Sequence, residues 1–120
     1  MPQTIIIDFD GVLHSYASGW KGADVIPDPP TDGAREAVAR LRQAYRVVVV
    51  SSRCHQSGGI EAVRAWLAAH GIEVDDVTSE KPPHIVVVDD RALRFEGDWL
   101  AVIAGIPAAS VPWNKKGSEP

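Results

Sequence analysis

Three short, unbroken runs of mostly β-branched residues constrain this chain more than any other feature, because each ends in polar side chains. Thr4-Ile5-Ile6-Ile7-Asp8-Phe9 leads into Asp10, Val47–Val50 leads into Ser51 and Ser52, and Ile85–Val88 leads into Asp89 and Asp90. Apolar runs without alternation are expected of strands buried on both faces, as in parallel sheets. Between them lie segments of helical spacing. Ala34, Ala37, Val38, Leu41, Ala44 and Tyr45 mark a first helix, with Thr31 or Asp32 as its cap after the stop at Pro27, Pro29 and Pro30. Ile60, Val63 and Leu67 mark a second helix over about 59–70, terminated by Gly71. A minor edge strand is expected over 74–77, a last short helix over 98–104 before Pro107, and an extended segment at 111–113. Strand–helix–strand–helix–strand predicts an α/β fold, a doubly wound, Rossmann-like parallel sheet with helices on both faces.

Length and charge narrow the function classes. At 120 residues there is room for one core, here 1–114, and no separate cap or substrate domain, with a disordered tail expected over 115–120. Twelve Lys and Arg against sixteen Asp and Glu leave a net charge of −4, a poor basis for holding duplex nucleic acid by phosphate neutralisation alone. The one cysteine, Cys54, excludes an intrachain disulfide and a cysteine-rich zinc site. With no bilayer-length apolar run and no signal-like start at 1–7, a cytoplasmic protein without membrane contact is expected. The stretch from Gly11 to Pro30 is long for a strand-to-helix connection and reads either as a lid or flap over a site or as tolerated surface.

In an open parallel sheet, ligands bind beyond the carboxyl ends of the strands. The three runs deliver Asp8 and Asp10, Ser51, and Asp89 and Asp90 to that one edge. Crowded carboxylates repel, and a divalent cation among them relieves the repulsion; an all-oxygen set favours Mg²⁺. The four histidines, His14, His55, His70 and His84, show no metal-ligand spacing.

Asp8-Phe9-Asp10-Gly11-Val12-Leu13 after an apolar strand resembles the first motif of the haloacid dehalogenase-like phosphohydrolases. Val47–Val50 with Ser51 is similar to their second motif, Lys81 falls where the third places a lysine, and Val86–Val88 with Asp89 and Asp90 resembles the acidic fourth. The order matches the family and covers essentially the whole core. The resemblance implies a Mg²⁺-dependent phosphomonoester hydrolase of minimal-cap type. Asp8 would be the nucleophile, forming an aspartyl-phosphate. Asp10 would be the general acid and base, protonated when substrate binds, a state that crowding beside Asp8 favours. Gly11 would let the chain leave the strand without blocking the phosphate. Ser51 would donate to a phosphoryl oxygen and Lys81 would offset charge. Asp90 is the expected direct metal ligand, with an Asp8 oxygen and the Asp10 carbonyl; Asp89 would stand behind it, or the two would exchange roles.

Ser51-Ser52-Arg53 and Asp89-Asp90-Arg91 are also similar to the phosphatase domains of polynucleotide kinase-phosphatases. That weaker similarity implies Arg53 as a phosphate clamp and a 3′-end polynucleotide phosphatase as the alternative activity. Trp20 and Tyr16 would stack on a base or sugar, or pin their loop to the core. Trp66, Trp99 and Trp113 read as core or edge packing. The expected substrate is a phosphorylated small molecule, nucleotide or nucleic-acid end, and a site this open invites closure by a second subunit or partner protein. From another class, a non-enzymatic phosphoacceptor of the receiver type also gathers Asp, Ser or Thr, and Lys on parallel strands, in a different order. An inactive relative kept for binding is the remaining reading.

Overall fold

A computed structural model of the protein describes residues 2–115. Its elements are β1 (Thr4–Asp8), α1 (Ala34–Leu41), β2 (Arg46–Val50), a 3-10 turn (Ser52–His55), α2 (Gly59–Ala69), β3 (Asp76–Thr78), β4 (Val86–Val88), α3 (Trp99–Ala109) and a second 3-10 turn (Trp113–Lys115). The strands form one all-parallel sheet in the order β3-β2-β1-β4. The chain is therefore α/β, with an architecture compatible with a Rossmann-like fold. Beyond Lys115, the expected disordered tail lies outside the described residues.

The first two runs behave as their composition requires. Ile5, Ile6 and Ile7 of β1 and Val47, Val48 and Val49 of β2 are buried on both faces of the sheet. Each aliphatic side chain removed from water in this way contributes roughly 1.5–3 kcal/mol. The register Ile5↔Val47, Ile7↔Val49 and Val49↔Val77 puts these residues on one face. They form a single cluster there with Ala34 and Val38 of α1 and Val63, Trp66 and Leu67 of α2. Two crossovers stepping the same way along the sheet, β1–α1–β2 and β2–α2–β3, bring both helices to that face, as connections of one hand require.

The helix ends differ from expectation. Neither Thr31 nor Asp32 caps α1: Gly33 is the N-cap at φ 81°, with no side-chain cap. The Thr31 hydroxyl instead donates to the Val12 carbonyl at 2.6 Å, fastening the long loop to itself. Helix α1 stops at Leu41, and residues 42–45 turn directly into β2. Gly59, which opens α2, is required by contact, since a Cβ there would overlap the backbone carbonyl of Arg53.

The third run is where the expectation of two-sided burial fails. β4 is only Val86–Val88, it lies at the sheet edge, and Val86 and Val88 are about half exposed. The cause is topological. β3 and β4 sit at opposite edges, so residues 79–85 must cross three strand spacings, about 14 Å, while returning from carboxyl to amino end. That leaves no slack for a helix in the crossover. Helix α3 starts one residue later than expected and continues through Pro107 to Ala109, and Val111–Trp113 leads into a 3-10 turn where an extended segment was expected. Trp66 is a core residue, as expected, whereas Trp99 and Trp113 are exposed.

Candidate active site

The strand ends converge as the parallel topology demands. Asp8 closes β1, Ser51 follows β2, and Asp89 and Asp90 follow β4, all at the carboxyl edge. One carboxylate oxygen from each of Asp8, Asp89 and Asp90 lies within 4.8 Å of the others. Ser51 is buried, and its Oγ accepts the Arg53 backbone N–H at 3.2 Å.

The electrostatics follow from this crowding. Burial, then the neighbouring carboxylate of Asp89, and further Asp90 and Asp10, push the Asp8 carboxyl up to about 7, against a backbone hydrogen bond from Phe9 that lowers it. Burial also raises Asp90, with Asp89 against it acting in the same direction. Asp90 Oδ1 is buried without a hydrogen-bond partner among the described residues. Three carboxylates with an orphaned buried oxygen form an all-oxygen donor set, which fits a hard divalent cation such as Mg²⁺.

Gly11 is shaped to this cluster. Its φ is 85°, and a Cβ there would collide with the Asp90 carboxylate, whose Cγ would lie at 2.9 Å. The close approach of the β1 turn to β4 is therefore possible only with glycine.

Asp10 stands apart from the other three carboxylates, and here the structure corrects the sequence reading. Burial acts to raise it, but hydrogen bonds from His14 and Arg53 and the Arg53 charge outweigh burial and hold its carboxyl below the ordinary range. His14 Nδ1 lies 2.8 Å from Asp10 Oδ1, and Nε2 accepts the Asp28 N–H at 3.2 Å, so the ring proton belongs on Nδ1. Crowding beside Asp8 thus raises Asp8 rather than Asp10, the reverse of the protonation pattern expected.

Arg53 is also placed differently. It is fully buried. Its Nε donates to both Asp10 oxygens, at 2.9 and 3.2 Å, and its Nη1 donates to the carbonyls of Gly22, Ala23 and Val25. Of its nitrogens, Nη2 lacks a partner among the described residues. The two-pronged clamp expected on a substrate phosphate is thus closed on Asp10 and on the long loop. Trp20 covers the guanidinium at 4.7 Å from its ring centroid.

The loop of residues 11–30 is consequently a packed structure. Ser18 donates from both N–H and Oγ to the Asp28 carboxylate, and Trp66 Nε1 donates to the Asp28 carbonyl. His14 and Asp28 were missed as site residues. A signal for His14 existed in its position four residues after Asp10, whereas nothing in the sequence pairs it with Asp28.

Two cavities open from Asp8. A narrow one of about 130 Å³ is lined by Asp8, Asp10, Tyr16, Trp20, Ser51 and Asp90 among others. A wider one of about 510 Å³ runs from Asp8, Ser52 and Asp89 past Arg91 to Leu93 and Ile106. Arg91 lines both, and so supplies a cation where Arg53 does not. Lys81 is exposed on the β3–β4 crossover and forms no ion pair among the described residues. It leaves the sheet at β3, two strands from Asp8. Cys54 is buried, and burial raises its thiol, which removes it as a nucleophile. Compared with known proteins, the chain matches no family model, no curated protein and no solved structure.

Proposed function

We propose that this protein is a Mg²⁺-dependent phosphomonoester hydrolase of the haloacid dehalogenase type, working through an aspartyl-phosphate on Asp8. The observation that carries this reading is the convergence of Asp8, Asp89 and Asp90 within 4.8 Å beside a buried Ser51. The same reading takes the fold to be the doubly wound core of that family, reduced to its smallest form.

Asp8, Asp89, Asp90 and the backbone carbonyl of Asp10 would hold the ion, which supplies charge neutralisation that makes Asp8 a competent carboxylate near neutral pH. Asp8 attacks phosphorus, the P–O bond to the leaving alcohol breaks, and a proton passes to that oxygen. Asp10, which lines the narrow cavity with Asp8, would deliver it. His14 and Arg53 fix the orientation of Asp10, and a proton on it during turnover must be acquired from substrate or solvent, because both partners favour its anion. Water then attacks the aspartyl-phosphate, with Asp10 accepting its proton, and inorganic phosphate leaves. Ser51 and Arg91 stand where phosphoryl oxygens would be stabilised, and Lys81 would join them only if its crossover moves toward β1.

The alternative of a 3′-end polynucleotide phosphatase rested on Arg53 and Arg91; the bonds of Arg53 to Asp10 and the loop weaken the first support, while Arg91, which lines both cavities, keeps the second. The full chain with an aryl phosphate provides the test. Turnover with Mg²⁺, its loss with chelator, and a fall of at least about 10³-fold in Asp8→Asn are the expected results. A wild-type rate in Asp8→Asn overturns the mechanism. A single stoichiometric phosphorylation without turnover indicates the receiver-type reading instead.

A further inference from the structure

Helix α3 poses a physical contradiction. Trp99–Ala109 contains no charged residue, and its only polar side-chain atom is the Trp99 indole nitrogen, yet no residue of the helix is buried. A helix apolar all round belongs in an interior. At about 100° per residue, Ile106, Trp99, Ile103 and Leu100 fall within an arc of about 120°, and they are 52, 69, 65 and 78% exposed. The preceding loop extends the face. The Phe95 ring lies 4.7 Å from that of Trp99, whereas the Leu93 side chain packs over Gly105 on the opposite side of the helix.

We propose that this face is the contact surface of a two-fold homodimer. These five side chains are 52–78% exposed, and side chains of roughly 150–250 Å² exposed to that degree leave on the order of 600 Å² of apolar surface per chain. Stable interfaces bury about 600–1,000 Å² per partner, and homodimer interfaces are the more apolar class. Isolated monomers rarely leave contiguous patches above about 300–600 Å² uncovered.

Other occupants fit less well. The helix is too short to span a bilayer, and it lacks the charged face of an interfacial helix. It offers no cation to a nucleic acid. A small ligand in the 510 Å³ cavity would touch only Ile106 of the five. An uncharged apolar face meets its own kind without desolvating any ion, and a two-fold axis presents the same face from both sides. Because Ile106 also walls the cavity that opens at Asp8, a second copy would narrow access to the carboxylates.

Sedimentation equilibrium of the metal-free full chain from about 1 to 100 μM tests the proposal without any reference to catalysis. The expected mass at the upper end is twice the 12.9 kDa of the chain. Ile103→Asp and Leu100→Lys should each return the single-chain mass with unchanged far-UV circular dichroism. A single-chain mass for the wild type at every concentration overturns the proposal, whether or not the protein then binds neutral phospholipid vesicles. Dimers persisting in both variants also overturn it. So does unfolding of both variants, since that would mean α3 packs within its own chain.

Discussion

Asp90 carries the sharpest consequence of the geometry at the level of single residues. It is raised by burial and by Asp89, it crowds Gly11, and one of its oxygens has no partner among the described residues. A residue under that much local disfavour is not there for the stability of the metal-free fold. Asp90→Asn should therefore melt at the same temperature as wild type or a few degrees higher in chelator, because one repulsive charge is gone. Addition of Mg²⁺ should raise the melting temperature of wild type by mass action and leave the variant nearly unmoved. A variant that melts well below wild type in chelator would make Asp90 a structural residue. Asp10 is the opposite case. Its carboxylate is satisfied by His14 and Arg53, so the fold itself depends on its charge.

Arg53 joins elements that are otherwise separate. From the 3-10 turn after β2 it reaches Asp10 beyond β1 and three carbonyls of the long loop. Removing one partner of a buried charge pair leaves the other desolvated and costs about 3–5 kcal/mol. Arg53→Met should lose stability of that order in urea denaturation and expose the 11–30 loop to proteolysis. Arg53→Lys should fall between, keeping charge but not the fork that serves Asp10 and the carbonyls together. A loss under about 1 kcal/mol in Arg53→Met would show that the loop holds without this strap. The contrast explains what was legible in the sequence. β1, β2, α2 and the acidic strand ends follow from local composition and spacing, and the structure has them where expected. The burial of β4 and the role of Arg53 depend on which strands are neighbours and on how long a crossover must be. Ser51-Ser52-Arg53 looks the same whether the guanidinium faces a cavity or Asp10. An apolar run such as Val86–Val88 carries no mark of being at an edge.

For the molecule as a whole, the carboxylate cluster makes stability depend on pH in a direction unusual for an acidic protein. Asp8 has an ordinary value of 3.8 and is raised to about 7 in the folded chain, so between these values the folded state binds more protons than the unfolded state. Stability must then fall as pH rises through that window. Asp10 and Asp75 are held below 3.8 and act in the other sense, but only in the more acidic range beneath it. Asp8 is only partly buried, so solvent screening reduces its contribution to on the order of 1–2 kcal/mol. In chelator the metal-free protein should thus be more stable near pH 5 than near pH 8. With saturating Mg²⁺ the ion stabilises the Asp8 anion and competes with its proton, so the slope should flatten or reverse. Asp8→Asn should remove the chelator-dependent slope while keeping the fold. Thermal melts of both proteins at the two pH values, with chelator and with Mg²⁺, give the comparison. Equal slopes in wild type and Asp8→Asn would mean that the proton is not bound at Asp8. A slope that Mg²⁺ leaves unchanged would mean that the cluster does not hold the ion.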